Sequence, residues 1–139
     1  MNRFVLDAST ALSWFVDDPV APDAKHTRQL LSSGWSAVVP GIWQLEMMNG
    51  FVKAERRGNL SNVEVDESFA EMQRLERWSI QPDTGLASLV DTLAYARTLR
   101  LTSYDASYVE LARREGLPLA TVDNSLRAAA AKAGVALLK

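Results

Sequence analysis

The sequence holds no cysteine and a single histidine, His26, against seventeen aspartates and glutamates. That balance excludes thiolate zinc sites, cysteine nucleophiles and structural disulfides, and it leaves no way to build a multi-histidine metal site within one chain. A histidine-dependent triad would have to use His26, which falls in a polar helical stretch from Asp23 to Ser33 and reads as a solvated residue. Carboxylates are what remain for chemistry. Hard oxygen donors of that kind select magnesium or manganese over softer metals. Four acids are singled out by where they stand: Asp7, Glu46, Asp105 and Asp123.

Each has an element to position it. Phe4, Val5 and Leu6 form an apolar run without polar alternation, the pattern of a strand covered on both faces in a parallel sheet, and Asp7 follows at its carboxyl end. In open α/β sheets that edge is where ligands bind. Asp7 also has a plainer reading, as the cap of a helix from Ser9 to Val16 whose inner side is Leu12, Phe15 and Val16. A helix from Ala21 to Ser33 stops at Gly34, and Ala37 to Val39 forms a second short strand.

Pro40 closes that strand and Ile42 to Arg57 reads as a long helix ended by Gly58. Glu46, Asn49, Lys53 and Arg56 or Arg57 share one stripe of it, while Leu45, Met48 and Val52 mark an apolar side. Ser61 and Glu64 have the spacing of a capping box, so a helix runs from Asn62 to Trp78, followed by a short strand to Gln81. Leu86, Leu89, Val90, Leu93 and Ala94 repeat at helical period over Gly85 to Arg100, an inward face by this pattern. Asp105 lies in the first turn of the next helix, with Tyr108 and Leu111 or Ala112 packed inward and Gly116 at the end. Leu117 to Val122 is a fourth strand that again ends in an acid, Asp123. A helix from Ser125 to Ala133 and a fifth strand from Val135 to Leu138 complete the chain.

With 139 residues, 47% apolar and 23% charged, the chain reads as one domain, 1–139, large enough to remove roughly two thirds of its unfolded surface from water. No signal peptide or run of membrane-spanning length is visible, so a cytoplasmic location is expected, with no membrane partner. A formal charge of −2 does not suggest a globally basic nucleic-acid binder. Bound divalent cations would reverse the local field, so an enzyme acting on nucleic acid is not excluded.

Taken singly, each acid has a structural use as a cap or as a partner of a helix dipole. Jointly they are harder to explain that way. Two end strands and two begin helices, and in a right-handed α/β sandwich all four positions belong to one edge of the sheet. Gathered carboxylates repel one another and call for a divalent counterion. Ser9, Thr121 and Asn49 stand where hydrogen bonds would steady them.

The segments Phe-Val-Leu-Asp7-Ala-Ser, Val-Pro40 with Trp43-Gln-Leu-Glu46-Met-Met-Asn49, Tyr104-Asp105-Ala-Ser-Tyr108-Val-Glu-Leu-Ala and Leu-Ala-Thr121-Val-Asp123 resemble, in this order and spacing, those of PIN-domain ribonucleases. Among these the chain is similar to the VapC-type toxins of bacterial toxin–antitoxin pairs. The resemblance covers residues 3 to 138. It implies a three-layer α/β/α sandwich with a short, mainly parallel central sheet. It also implies a metal site of Asp7, Glu46, Asp105 and Asp123 as the catalytic carboxylates, with Ser9, Asn49 and Thr121 in support. The implied cofactor is Mg²⁺ or Mn²⁺, and the implied reaction is hydrolysis of RNA phosphodiester bonds leaving a 5′ phosphate and a 3′ hydroxyl. The implied partners are the RNA substrate, a protein antitoxin that holds the enzyme inactive, and a second copy in a homodimer.

Lys53, Arg56, Arg57, Arg113 and Arg114 are candidate phosphate contacts, with a solvated helix face as the alternative; Trp43, Met47 and Phe51 read either as core or as part of a partner groove. Two other carboxylate chemistries fit less well. A phosphotransfer receiver needs paired acids after the first strand, and Asp7 is followed by Ala and Ser; a haloacid-dehalogenase-type phosphatase needs a second aspartate where Ser9 stands. A third alternative is a non-catalytic PIN-like module that binds metal or a partner.

Overall fold

The structure is a computed structural model and describes residues 2–139. In chain order its elements are β1 (Arg3–Leu6), α1 (Ala8–Val16), α2 (Pro22–Ser32), β2 (Ser36–Val39), α3 (Trp43–Arg56), α4 (Asn62–Trp78), β3 (Ile80–Pro82), α5 (Leu89–Thr98), α6 (Ser103–Glu115), β4 (Leu119–Ala120) and α7 (Asn124–Lys132). The strands pair in the order β3-β2-β1-β4, and every pairing is parallel. Helices pack on both sides of the sheet: α1 lies against α2 and α3, with α3 against α4, while α6 packs on β1, β4, α5 and α7. The architecture is the expected three-layer α/β/α sandwich.

β1 is central because Phe4, Val5 and Leu6 are fully buried, with no polar face to leave in water. The register pairs Leu6 with Ala120, and the Asp7 N–H donates to the Ala120 carbonyl at 3.1 Å. Asp7 and Thr121 therefore leave the sheet side by side. The capping box of α4 forms as its spacing requires: the Glu64 N–H donates to Ser61 Oγ at 3.1 Å and the Ser61 N–H to Glu64 Oε1 at 2.9 Å. α6 is capped by Thr102, whose hydroxyl oxygen accepts from the Asp105 N–H at 3.1 Å.

Several expectations are corrected. β4 is two residues long, because Pro118 has no N–H to donate and the chain leaves the ladder at Thr121. The fifth strand reduces to a single bridge between Leu119 and Leu137. On α1 the buried residues are Ala8, Thr10, Ala11, Ser13 and Trp14, not Leu12, Phe15 and Val16, which are half-buried. α3 turns the other way from its expected apolar side: Trp43, Met47, Phe51 and Ala54 are buried, and Leu45, Met48 and Val52 face outward, Leu45 at 60% exposure. The helix has two apolar stripes, and burying the one with the tryptophan and phenylalanine removes more surface from water. α5 has no buried residue among those described. It rests on α6 through half-buried Tyr95 and Leu99, leaving Leu86, Leu89, Val90 and Leu93 between 52% and 94% exposed.

Candidate active site

Asp7 caps a helix and also stands at the sheet edge where the candidate site lies. Its side chain accepts from the Ser9 N–H at the start of α1, which is the cap, and it is also buried at 4% exposure at the carboxyl edge of β1. The Ser9 hydroxyl donates to Asp7 Oδ2 at 2.6 Å and the Thr121 hydroxyl to the same oxygen at 2.8 Å. Thr121 accepts the Asp123 N–H at 3.0 Å, so one hydroxyl ties the first acid to the last. Asp123 caps α7, its Oδ1 accepting from the Ser125 N–H at 2.8 Å, the Ser125 hydroxyl at 2.7 Å and the Leu126 N–H at 3.2 Å.

Glu46 sits in the first turn of α3 and Asp105 in the first turn of α6, both half-buried. The Tyr108 hydroxyl donates to Glu46 Oε1 at 2.6 Å. Tyr108 is fully buried, and reading it only as an inward-packing side chain misses this bond. Its position one turn after Asp105 was the available signal, because residues three apart share a helix face. Two further supports have no signature in sequence. Thr10, on α1, accepts the Val122 N–H at 3.1 Å, and Arg127 donates from Nη1 to the Thr121 carbonyl at 3.0 Å. Together they fix the segment between Thr121 and Asp123.

The charges respond to one another. Burial pushes the Asp7 carboxyl above the usual carboxylate range, against the hydrogen bonds from Ser9 and Thr121 and with a push from Asp123. Burial likewise raises Glu46, opposed by the Tyr108 bond and reinforced by Asp7 and Asp105. Asp105 is raised by burial, then by Asp7 and Asp123. Asp123 is lowered, chiefly by the Ser125 hydrogen bond. Repulsion is mutual, but the acid that ionises first meets neutral neighbours, so its cost falls on those that follow. Burial and hydrogen bonding push Tyr108 upward, so it stays a donor to Glu46.

Asp7 and Asp105 are thus each within electrostatic reach of the other three expected acids, and Ser9 and Thr121 bond to Asp7. Asn49 is exposed and bonds to none of the four carboxylates among the described residues. His26 is exposed on α2. Arg113 and Arg114 have structural work at the far end of α6: Arg113 donates to the Ala133 carbonyl, and Arg114 pairs with Asp83 and Glu110. Lys53, Arg56 and Arg57 are exposed on the last turns of α3.

Among the described residues no ion pair joins Asp7, Glu46, Asp105 or Asp123 to a cation of the chain. Nor are three His, Cys, Asp or Glu side chains grouped tightly enough to enclose a metal as they stand. The donor set still suits a hard divalent ion in kind: it is all oxygen, negatively charged and without an internal counterion.

No helix among the described residues is long and apolar enough to cross a membrane. No curated protein matches the sequence. The family model of the PIN domain matches residues 4–132.

Proposed function

The chain belongs to the PIN domain family, a nuclease fold, and from that premise we propose that it is a Mg²⁺- or Mn²⁺-dependent endoribonuclease, the VapC-like toxin of a toxin–antitoxin pair. The observation that carries this reading is that, at the carboxyl edge of a parallel sheet, Asp7 and Asp105 each feel the other three acids of the set Asp7, Glu46, Asp105 and Asp123, and no cation among the described residues pairs with any of the four. These four would hold the ion. When bound, it supplies positive charge that acidifies water and offsets the negative charge building on the phosphoryl oxygens. The chain's own residues orient the carboxylates: Ser9 and Thr121 hold Asp7, Tyr108 holds Glu46, and Ser125 with the start of α7 holds Asp123. Water adds to phosphorus as the P–O3′ bond breaks, the proton passing to the departing oxygen. The products are a 5′ phosphate and a 3′ hydroxyl.

Two partners follow from the same reading. The exposed Leu45, Met48 and Val52 flank Glu46 on α3, and an antitoxin with an apolar helix and a basic residue complements that stripe and the adjacent negative charge. A second copy of the chain suits α5, because an apolar row paired with itself across a twofold axis is self-complementary. The test of the activity is cleavage of a panel of structured RNAs by antitoxin-free protein with Mn²⁺, beside EDTA and Asp7→Asn controls. Cutting that needs both metal and Asp7 supports the nuclease. Manganese binding without cutting of any RNA in the panel favours a non-catalytic module.

A further inference from the structure

Four helices of this chain, α2, α3, α6 and α7, give way to a glycine with positive φ: Gly34, Gly58, Gly116 and Gly134. α5 does not. Its closing turn puts Arg100 at φ 55°, the one positive-φ residue other than glycine among those described. The turn itself is an ordinary helix stop, with the Leu101 N–H donating to the Ala96 carbonyl at 3.0 Å, so glycine would serve it with less strain. Helix-dipole compensation does not call for the arginine either, since Arg97 already places a cation in the last turn of α5. Neither Arg97 nor Arg100 pairs with a carboxylate among the described residues.

The position has a second property. Arg100 stands two residues before Thr102, the cap of α6, and five before Asp105. Between them lies Tyr104, whose side chain is 56% exposed. A polyanion approaching four carboxylates is repelled unless cations at the rim receive its phosphates. Of the exposed cations of α3, Arg56 follows Glu46 by ten residues, about 15 Å along the helix, which is far for a phosphate at the cleaved bond, while Lys53 stands two turns on, about 10 Å, and serves a more distant phosphate. Arg28, Arg74, Arg113, Arg114 and Arg127 are engaged within the protein.

We propose that Arg100 receives a backbone phosphate of the RNA beside the cleaved bond, with the Tyr104 ring offered to the neighbouring base, and that the strained backbone at the end of α5 is kept for this contact. An exposed arginine and an exposed aromatic residue four positions apart suit single-stranded RNA, which presents both phosphate and an open base face. This inference rests on the nuclease reading.

The test compares Arg100→Gly and Arg100→Lys with the unaltered residue, on an Asp7→Asn background so that RNA survives. Affinity for a 5′-labelled, mixed-sequence single-stranded RNA is measured across a salt series in Ca²⁺. For Arg100→Gly the expected result is an unchanged or higher Tm, a several-fold weaker Kd and a log–log salt slope smaller by about 0.7, the value for one lost phosphate contact on a single strand. Arg100→Lys should restore the slope while keeping the strain. With Asp7 intact, Arg100→Gly should raise KM for cleavage and leave kcat in place. An unchanged Kd and slope in Arg100→Gly, while the parent protein binds and cuts RNA, overturns this inference alone. Loss of binding only to a protein partner, with the RNA slope intact, overturns it too and moves Arg100 to that interface. If the parent protein neither binds nor cuts RNA, the nuclease reading falls first.

Discussion

Asp7 is held by two hydroxyls and the start of a helix, yet its burial among other acids still drives its carboxyl upward. The support given to each acid differs, and so do the expected effects of replacing it. The Asp105 carboxylate accepts no hydrogen bond among the described residues and feels both Asp7 and Asp123. In metal-free protein Asp105→Asn should therefore keep the fold and raise stability by about 1 kcal/mol, read by thermal unfolding in EDTA, while cleavage falls by at least about 100-fold. Unfolding of both Asp105→Asn and Asp7→Asn would instead make the acids structural caps. Tyr108→Phe keeps the buried ring and removes the donor to Glu46 Oε1. We expect roughly ten-fold weaker Mn²⁺ binding by calorimetry, the usual cost of losing a group that orients a ligand, with little change in Tm. Unaltered Mn²⁺ affinity would reduce the tyrosine to packing.

The helices that bring the acids in are themselves anchored. α6 carries Asp105 at one end and, farther along, Glu110, whose side chain is 3% exposed. Glu110 accepts from the Ser88 N–H at 3.0 Å and from Arg114 at 2.9 Å, and Arg114 reaches on to Asp83 at 2.6 Å. This cluster ties the segment before α5 to the back of α6. Arg114→Met leaves Glu110 buried and unpaired and should cost about 3 kcal/mol in urea unfolding. The hydrogen bonds from Arg114, more than any other cause, hold the Asp83 carboxyl below the usual range. Its folded pKa is thus below its unfolded value, so its contribution is complete above about pH 4 and disappears as pH falls through the lowered folded value. The variant should lack that acid-side loss. A second anchor is steric. At Gly50 on α3 an added Cβ would lie 2.1 Å from Leu12 Cδ2 and 3.0 Å from its Cγ. Gly50→Ala gains about 1 kcal/mol of helix propensity but should lose more by prying α3 from α1, a net destabilisation of about 1 kcal/mol.

Assembled, the chain presents two apolar rows to solvent, Leu45 with Met48 and Val52 on α3, and Leu86 with Leu89, Val90 and Leu93 around the start of α5. If α5 joins two copies, light scattering should give twice the chain mass, and Leu89→Asp should halve it without lowering cleavage by each chain more than about two-fold. A monomer at all concentrations would remove that role from α5. The periodicity of both rows was plain in the sequence, but their orientation was not. A stripe at helical spacing says only that a helix has an apolar side, and whether that side meets the sheet depends on which neighbours arrive. Much of the candidate site was legible beforehand for a local reason. An acid at a strand's carboxyl end or in a helix's first turn is placed by its own few neighbours, and parallel topology sends all such positions to one edge. Asp7, Glu46, Asp105 and Asp123 could be named on that basis, as could the α/β class and most helix ends. Only tertiary packing decided the bonds from Tyr108 to Glu46 across 62 residues and from Thr10 to Val122 across 112, and it decided that Thr121, expected to steady the carboxylates, does so at Asp7, 114 residues away. Such bonds form between groups whose local sequences do not name their partners, and they exist only because the β1–β4 register and the docking of α6 bring the partners within about 3 Å.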